Sequence, residues 1–192
     1  WGALFGKESV HSSAEPSTAL TKEVVEYAKT QIGVLENPLG SNRGPEVDKY
    51  QIAAGLTLNA STSKPGYAWC VAFTYYCYQQ AAAKLGIGNP HIKTAGVLDH
   101  WSRAKGKPGI VRITNVDAIN DPTLVKPGAL FIIDHGGGLG HSGIVTEVSN
   151  GRLVTIEGNT NDGGSRNGIG VFERKARKIA DINKGFVDYS SF

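Results

Sequence analysis

With 192 residues, 40% hydrophobic and 19% charged, the chain is long enough to bury one core and too apolar to read as disordered, so one soluble globular domain is the expectation. A net charge of +3 lacks the basic concentration of a nucleic-acid binder, and no run approaches the roughly 18 apolar residues that a membrane span needs, so neither nucleic acid nor membrane insertion is expected. The amino end carries no basic and apolar signal segment, the absence of methionine reads as a fragment or processed form, and two cysteines make no disulfide framework.

Residues 1–17 mix Gly, Ser, Pro and His without a sustained period and read as a linker or tail from a larger protein, with Trp1 and Phe5 able to dock on the body. Residues 18–192 read as the folded domain. The first helix is expected over residues 21–32, through Val24, Ala28 and Ile32, with Gly33 past its end. Residues 36–44 form a turn-rich loop, and Pro45 opens a short helix to about Ala54 that Gly55 stops.

Pro65 and Gly66 then break the chain before the most distinctive stretch. From Cys70 to Ala83 there is no charge, Val71, Tyr75, Tyr78, Ala82 and Leu85 recur at helical steps, and Cys70, Phe73 and Cys77 add a second apolar stripe. Such a helix should be buried, with Lys84 at its negative end and Gly86 as its left-handed stop. Cys70 falls in the first turn, where unpaired N–H groups favour thiolate over thiol. The competing reading is a small buried hydrophobe. A disulfide to Cys77 is excluded, because seven helical residues separate the two by about 10 Å. Cys77 is therefore a core thiol, and a catalytic Cys70 requires partners elsewhere.

Thr94 is expected to cap a further helix through Asp99 and Trp101 to Ala104. Residues 109–125 carry only a weak pattern. Beyond Lys126-Pro127-Gly128, residues 129–133, 141–148, 153–157, 168–172 and 185–189 read as strands, so helices precede an antiparallel sheet and the fold class is α+β.

The connection Ser149-Asn150-Gly151 decides which side chains share a face. A two-residue turn would place Val145 opposite Ile156; a three-residue loop would place Ile144 opposite Ile156 and His141 opposite Asn159. The second collects Ile144, Thr146, Val148, Val154 and Ile156 on one side, and is preferred. His141, Glu157 and Asn159 then share a face, where a carboxylate or an amide could orient the imidazole for a cysteine nucleophile. His135 is the rival histidine; His11, His91 and His100 have no local acidic or amide partner.

Trp69-Cys70, then Gly140-His141-Ser142-Gly143-Ile144-Val145, then Ile156-Glu157-Gly158-Asn159-Thr160 together resemble the CHAP family, the cysteine- and histidine-dependent amidohydrolases/peptidases of papain-like fold. Lys126-Pro127-Gly128-Ala129-Leu130 is similar too. The resemblance implies a catalytic domain over residues 18–192, with Cys70 as nucleophile, His141 as base, Glu157 and Asn159 as supporting residues, and bacterial cell-wall peptidoglycan as substrate. Muramoyl-alanine amidase chemistry is the first expectation. Endopeptidase activity and a non-catalytic wall-binding module are the alternatives. Tyr67 and Trp69 are candidate cleft walls, with core packing the competing reading for each, and Asp162 sits in a Gly-rich loop that could form a rim. No cofactor is expected and no metal, since Glu36, Glu46 and Asp48 are too dispersed for a calcium cage. The implied location is the cell wall, periplasmic or extracellular, with a monomer as the default; a toxin of this kind would imply a cognate inhibitor protein.

Overall fold

The computed structural model describes residues 14–59, 66–160 and 168–192, so the expectations for Trp1, Phe5, His11 and Asp162 lie outside the described residues. Four helices come first: α1 (Ala19–Gln31), α2 (Pro45–Ala53), α3 (Cys70–Leu85) and α4 (Val97–Ala104). A strand β1 (Val111–Thr114) and a short helix α5 (Asn115–Asn120) follow, then β2 (Leu130–Gly136), β3 (Leu139–Ser149), β4 (Arg152–Thr160), β5 (Gly170–Lys178) and β6 (Gly185–Asp188). The strands form one antiparallel sheet in the order β1-β6-β2-β3-β4-β5, an α+β architecture.

Local chemistry explains the helix ends. Thr18 and Thr21 form a reciprocal capping box at the start of α1, each side chain accepting from the other's backbone N–H. Helix α3 ends at Gly86, whose φ of 68° is left-handed. Every residue from Cys70 to Tyr75 is buried, as its uncharged sequence requires. Helix α4 corrects the expected cap: Gly96, not Thr94, is the N-cap, and the Thr94 hydroxyl donates to Asp99 at 2.6 Å and accepts from the Gly96 N–H. The weak pattern of residues 109–125 has a simple cause. β1 is a four-residue edge strand and α5 buries only Ala118, so neither is long enough to show a period.

Both faces of the sheet are covered. Leu130, Ile132, Ile144, Ile156 and Val187 meet the helices through Leu20, Val47, Phe73 and Trp101. On the other face Phe131, Ile133, Val145, Leu153 and Phe186 pack with Ala118, Ile179 and Ile182. Ala14, assigned by sequence to the tail, packs on this second cluster and its N–H donates to Val148 O at 3.1 Å.

The β3–β4 register is the expected one at its inner end, with Ile144 opposite Ile156, but the expected loop is wrong. Ser149 pairs with Arg152, so the connection is a two-residue Asn150-Gly151 turn with both residues at positive φ (51° and 72°). A bulge between Val145 and Glu147 supplies the extra residue instead. It also carries Val148 into the second cluster, away from the face of Ile144 and Ile156 on which the sequence placed it.

Candidate active site

Cys70 is the first residue of α3, and its N-cap residue, Trp69, provides no side-chain cap, so the first-turn N–H groups are left by the helix itself without an acceptor. Trp69 is not a cleft wall. Its ring is wholly buried, 5.7 Å from Tyr50, and its indole N–H donates to Glu36 Oε1 at 2.9 Å. A large apolar ring with one satisfied donor is more stable in the core than at a wet rim. Tyr67 is 54% exposed and its backbone N–H donates to Gln51 at 3.1 Å, but it does not line the cleft.

β3 delivers His141, only 2% exposed, to the same place. Its Nε2 donates to Glu157 Oε1 at 2.7 Å, its ring lies 5.7 Å from Phe131, and it faces the same cleft as Cys70. With Nε2 engaged, Nδ1 is the nitrogen left for the sulfur. Gly143 makes room for Glu157 beside the imidazole: a Cβ there would stand 2.7 Å from both Glu157 Cγ and a Phe131 ring carbon.

Glu157 is fully buried and saturated with donors. Besides His141, it accepts from the Thr155 hydroxyl at 2.6 Å, from Arg177 Nε at 2.6 Å and from an Arg177 Nη at 2.8 Å. Burial alone would raise its pKa, but the Arg177 and His141 hydrogen bonds and charges outweigh burial and hold it down at about 2. For His141, burial opposes charging, yet bonds and charge from Cys70 and Glu157 prevail and lift its pKa to about 9.

Of the two partners the sequence left open for the imidazole, Glu157 is the one bonded to it. The β3–β4 ladder pairs end at Ile144–Ile156, so the expected His141–Asn159 pair is not part of the ladder. Asn159 adopts a left-handed φ of 54° and lines the cleft instead. That cleft, of about 340 Å³, is bounded by Cys70 and His141 with Gly40, Asn42, Ala68, Leu139, Gly140, Asn159 and Gly168. Its near wall comes from the loop of residues 36–44, pinned by Glu36, whose second oxygen accepts the Gly40 N–H at 2.8 Å.

Three contributors escaped sequence reading: Arg177, Thr155 and Glu36. Arg177 stands twenty residues from Glu157 in the basic run Arg174-Lys175-Ala176-Arg177-Lys178, and nothing local separates it from its solvated neighbours. His135, the rival histidine, lies at the exposed end of β2, while His91 and His100 are buried in a stack with Tyr189. The three acidic residues considered for calcium are engaged separately, Glu36 as above, Glu46 with Lys49 and Asp48 with Arg43. Among the described residues, no group of three His, Cys, Asp or Glu side chains could hold a metal ion.

A thiol at a helix start, an imidazole beside it and an anchored carboxylate behind the imidazole make a nucleophile, base and orienter, an arrangement suited to acyl transfer. The family model for the CHAP domain matches residues 62–159, a segment that holds Cys70, His141, Glu157 and Asn159. No curated protein and no solved structure matches the chain. The match takes in just over half of the sequence, and the chain belongs to the CHAP domain family of peptidoglycan-related hydrolases and peptidases.

Proposed function

We propose that residues 18–192 form a papain-like catalytic domain that hydrolyses an amide bond of peptidoglycan through an acyl-enzyme on Cys70. The observation that carries this reading is the alignment of Cys70, at the first position of α3, with a His141 whose far nitrogen is held by Glu157 at 2.7 Å. The Cys70 thiolate attacks the carbonyl carbon, and the imidazolium of His141 passes its proton to the leaving nitrogen as the C–N bond breaks. Water then gives a proton to His141 and attacks the thioester, releasing the acid and the thiolate. The Cys70 backbone N–H, unpaired at the helix start, is one donor to the oxyanion.

The substrate bond we propose is the amide joining the lactyl group of muramic acid to L-alanine. Among the described residues, the cleft lining beside Cys70 and His141 carries two asparagines, glycines, one alanine and one leucine, and no acidic side chain, lysine or arginine. That lining matches an uncharged acetamido sugar and lactyl unit better than the free carboxylates and amines of a cross-bridge. Asn159, facing this space, is assigned to substrate contact. Incubation of purified sacculi with the protein should release peptides beginning with L-alanine; new amino termini within the stem or cross-bridge would replace the amidase reading with an endopeptidase. Cys70→Ala should abolish release while leaving the fold intact, and Cys77→Ala, at a buried position away from the cleft, should keep it. Equal binding of sacculi without fragments from the unmodified protein would leave only a wall-binding module.

A further inference from the structure

We propose that Arg177 is the positioning residue of this site: its guanidinium locks the Glu157 carboxylate in the orientation that presents Oε1 to His141, so the imidazole is aimed from β5, outside the segment that the family model covers. The proposal rests on the reading of Cys70 and His141 as the reacting pair.

The geometry is a fork. Arg177 Nε donates to Oε2 at 2.6 Å and an Nη to Oε1 at 2.8 Å, while Thr155 takes a further site on Oε2 and His141 one on Oε1. A carboxylate offers about four lone-pair sites, and all are used, so Glu157 has no second rotamer with equivalent bonding. Register puts the arginine there. Leu153, Thr155 and Glu157 alternate onto one face of β4, and Arg177 pairs with Leu153 across β4–β5. The guanidinium is itself held, lying 4.8 Å from the centre of the Phe131 ring that also flanks His141, with its side chain only 12% exposed. A planar bidentate donor fixes both the position and the plane of a carboxylate, which a lysine ammonium cannot do. The groups facing Glu157 are therefore His141 from β3 and Arg177 from β5, with Cys70 behind the imidazole. The charge of Glu157 is shared between two cations, which keeps it an acceptor across the working range of a cysteine–histidine pair.

The experiment combines turnover with titrations read without substrate. Purified wild type, Arg177→Lys, Arg177→Gln, Glu157→Gln and the double variant Glu157→Gln/Arg177→Gln are compared on sacculi, and the Glu157 carboxyl and His141 ring of the Arg177 variants are followed by NMR against pH. Arg177→Gln should lower turnover by about 10- to 100-fold, as expected of a displacement of about 1 Å at the reacting groups, and should move the Glu157 midpoint upward. Arg177→Lys, which keeps the charge and loses the fork, should fall between the two. On the Glu157→Gln background, removing Arg177 should change turnover less than about threefold, because its route to His141 is already cut. Wild-type turnover and an unmoved Glu157 midpoint in Arg177→Gln would overturn the proposal, as would an equal loss on the Glu157→Gln background. If Arg177→Gln does not fold, the Lys variant decides: turnover and both titrations like wild type refute positioning. Sacculi left uncut by the wild type would refute the hydrolase reading, and the titrations would still judge the arginine.

Discussion

Gly158→Ala probes how closely the nucleophile helix must sit against the strand that carries Glu157. Gly158 lies between Glu157 and Asn159, and a Cβ built on it would meet Phe73 Cβ at 2.7 Å, Phe73 Cγ at 2.8 Å and Trp69 Cζ3 at 2.8 Å. Carbon atoms rest at about 3.5–4.0 Å, so the contact must open by roughly 1 Å. Neither ring can swing away. Both are fully buried, Trp69 is tied to Glu36 and packed on Tyr50, and Phe73 is 5.4 Å from the same tyrosine. Relief therefore comes from moving the start of α3 off β4, which separates Cys70 from His141. Overpacking of this kind costs about 1–3 kcal/mol. At about 2–4 °C per kcal/mol for a chain of this size, the melting temperature should fall by about 2–12 °C. Turnover should fall further than stability suggests, by about 100-fold, because a displacement of about 1 Å is large on the scale of a reacting geometry. Gly88→Ala is the control: nothing lies within 4 Å of its Cβ, and both quantities should stay at wild-type values. Thermal unfolding and the rate of sacculus digestion measure the two effects. A Gly158→Ala protein indistinguishable from the control would refute the claim that this contact sets the distance between nucleophile and base.

The charge on Glu157 should be visible in the pH profile. His141 stays protonated up to about pH 9, in part through that charge, so Glu157→Gln should pull the alkaline limb of turnover to lower pH, whereas Asn159→Ala should reduce turnover without moving the limb. An unshifted Glu157→Gln profile would hand the orienting role to Asn159. Stability should change with acid for a different reason. Burial holds the pKa of His91 at about 4 against 6.5 when unfolded, and His100, stacked 4.5 Å away, is lowered by burial as well. The unfolded chain therefore takes up protons first, and this contribution is complete above pH 6.5 and lost as pH falls toward 4, by roughly 3 kcal/mol for His91 alone. Urea denaturation between pH 4 and 7 should show that slope, and His91→Gln should flatten it; a slope unchanged by the substitution would place the effect elsewhere.

Much of this protein is written in short-range pattern. The uncharged run after Cys70 makes a buried helix because its apolar residues repeat at helical steps, and Gly86 stops it because glycine adopts the left-handed cap without a Cβ clash. The same local rules marked the strands that carry His141 and Glu157 and put Cys70 in a first turn. Tertiary structure decided what has no fixed spacing. The pairing of Ile144 with Ile156 was legible from hydrophobic patterning, but the device that produces it, a bulge near Thr146 combined with a two-residue turn, was not, since a longer loop gives the same inner register. Glu157 rather than Asn159 holds the imidazole because the backbone turns left-handed at Asn159, a choice that a strand pattern does not announce. Trp69 went to the core because a buried carboxylate from a loop more than thirty residues upstream satisfies its indole. Arg177 reached Glu157 because two strands pair, and pairing energy depends on which faces meet in space, not on how far apart the residues stand in the chain.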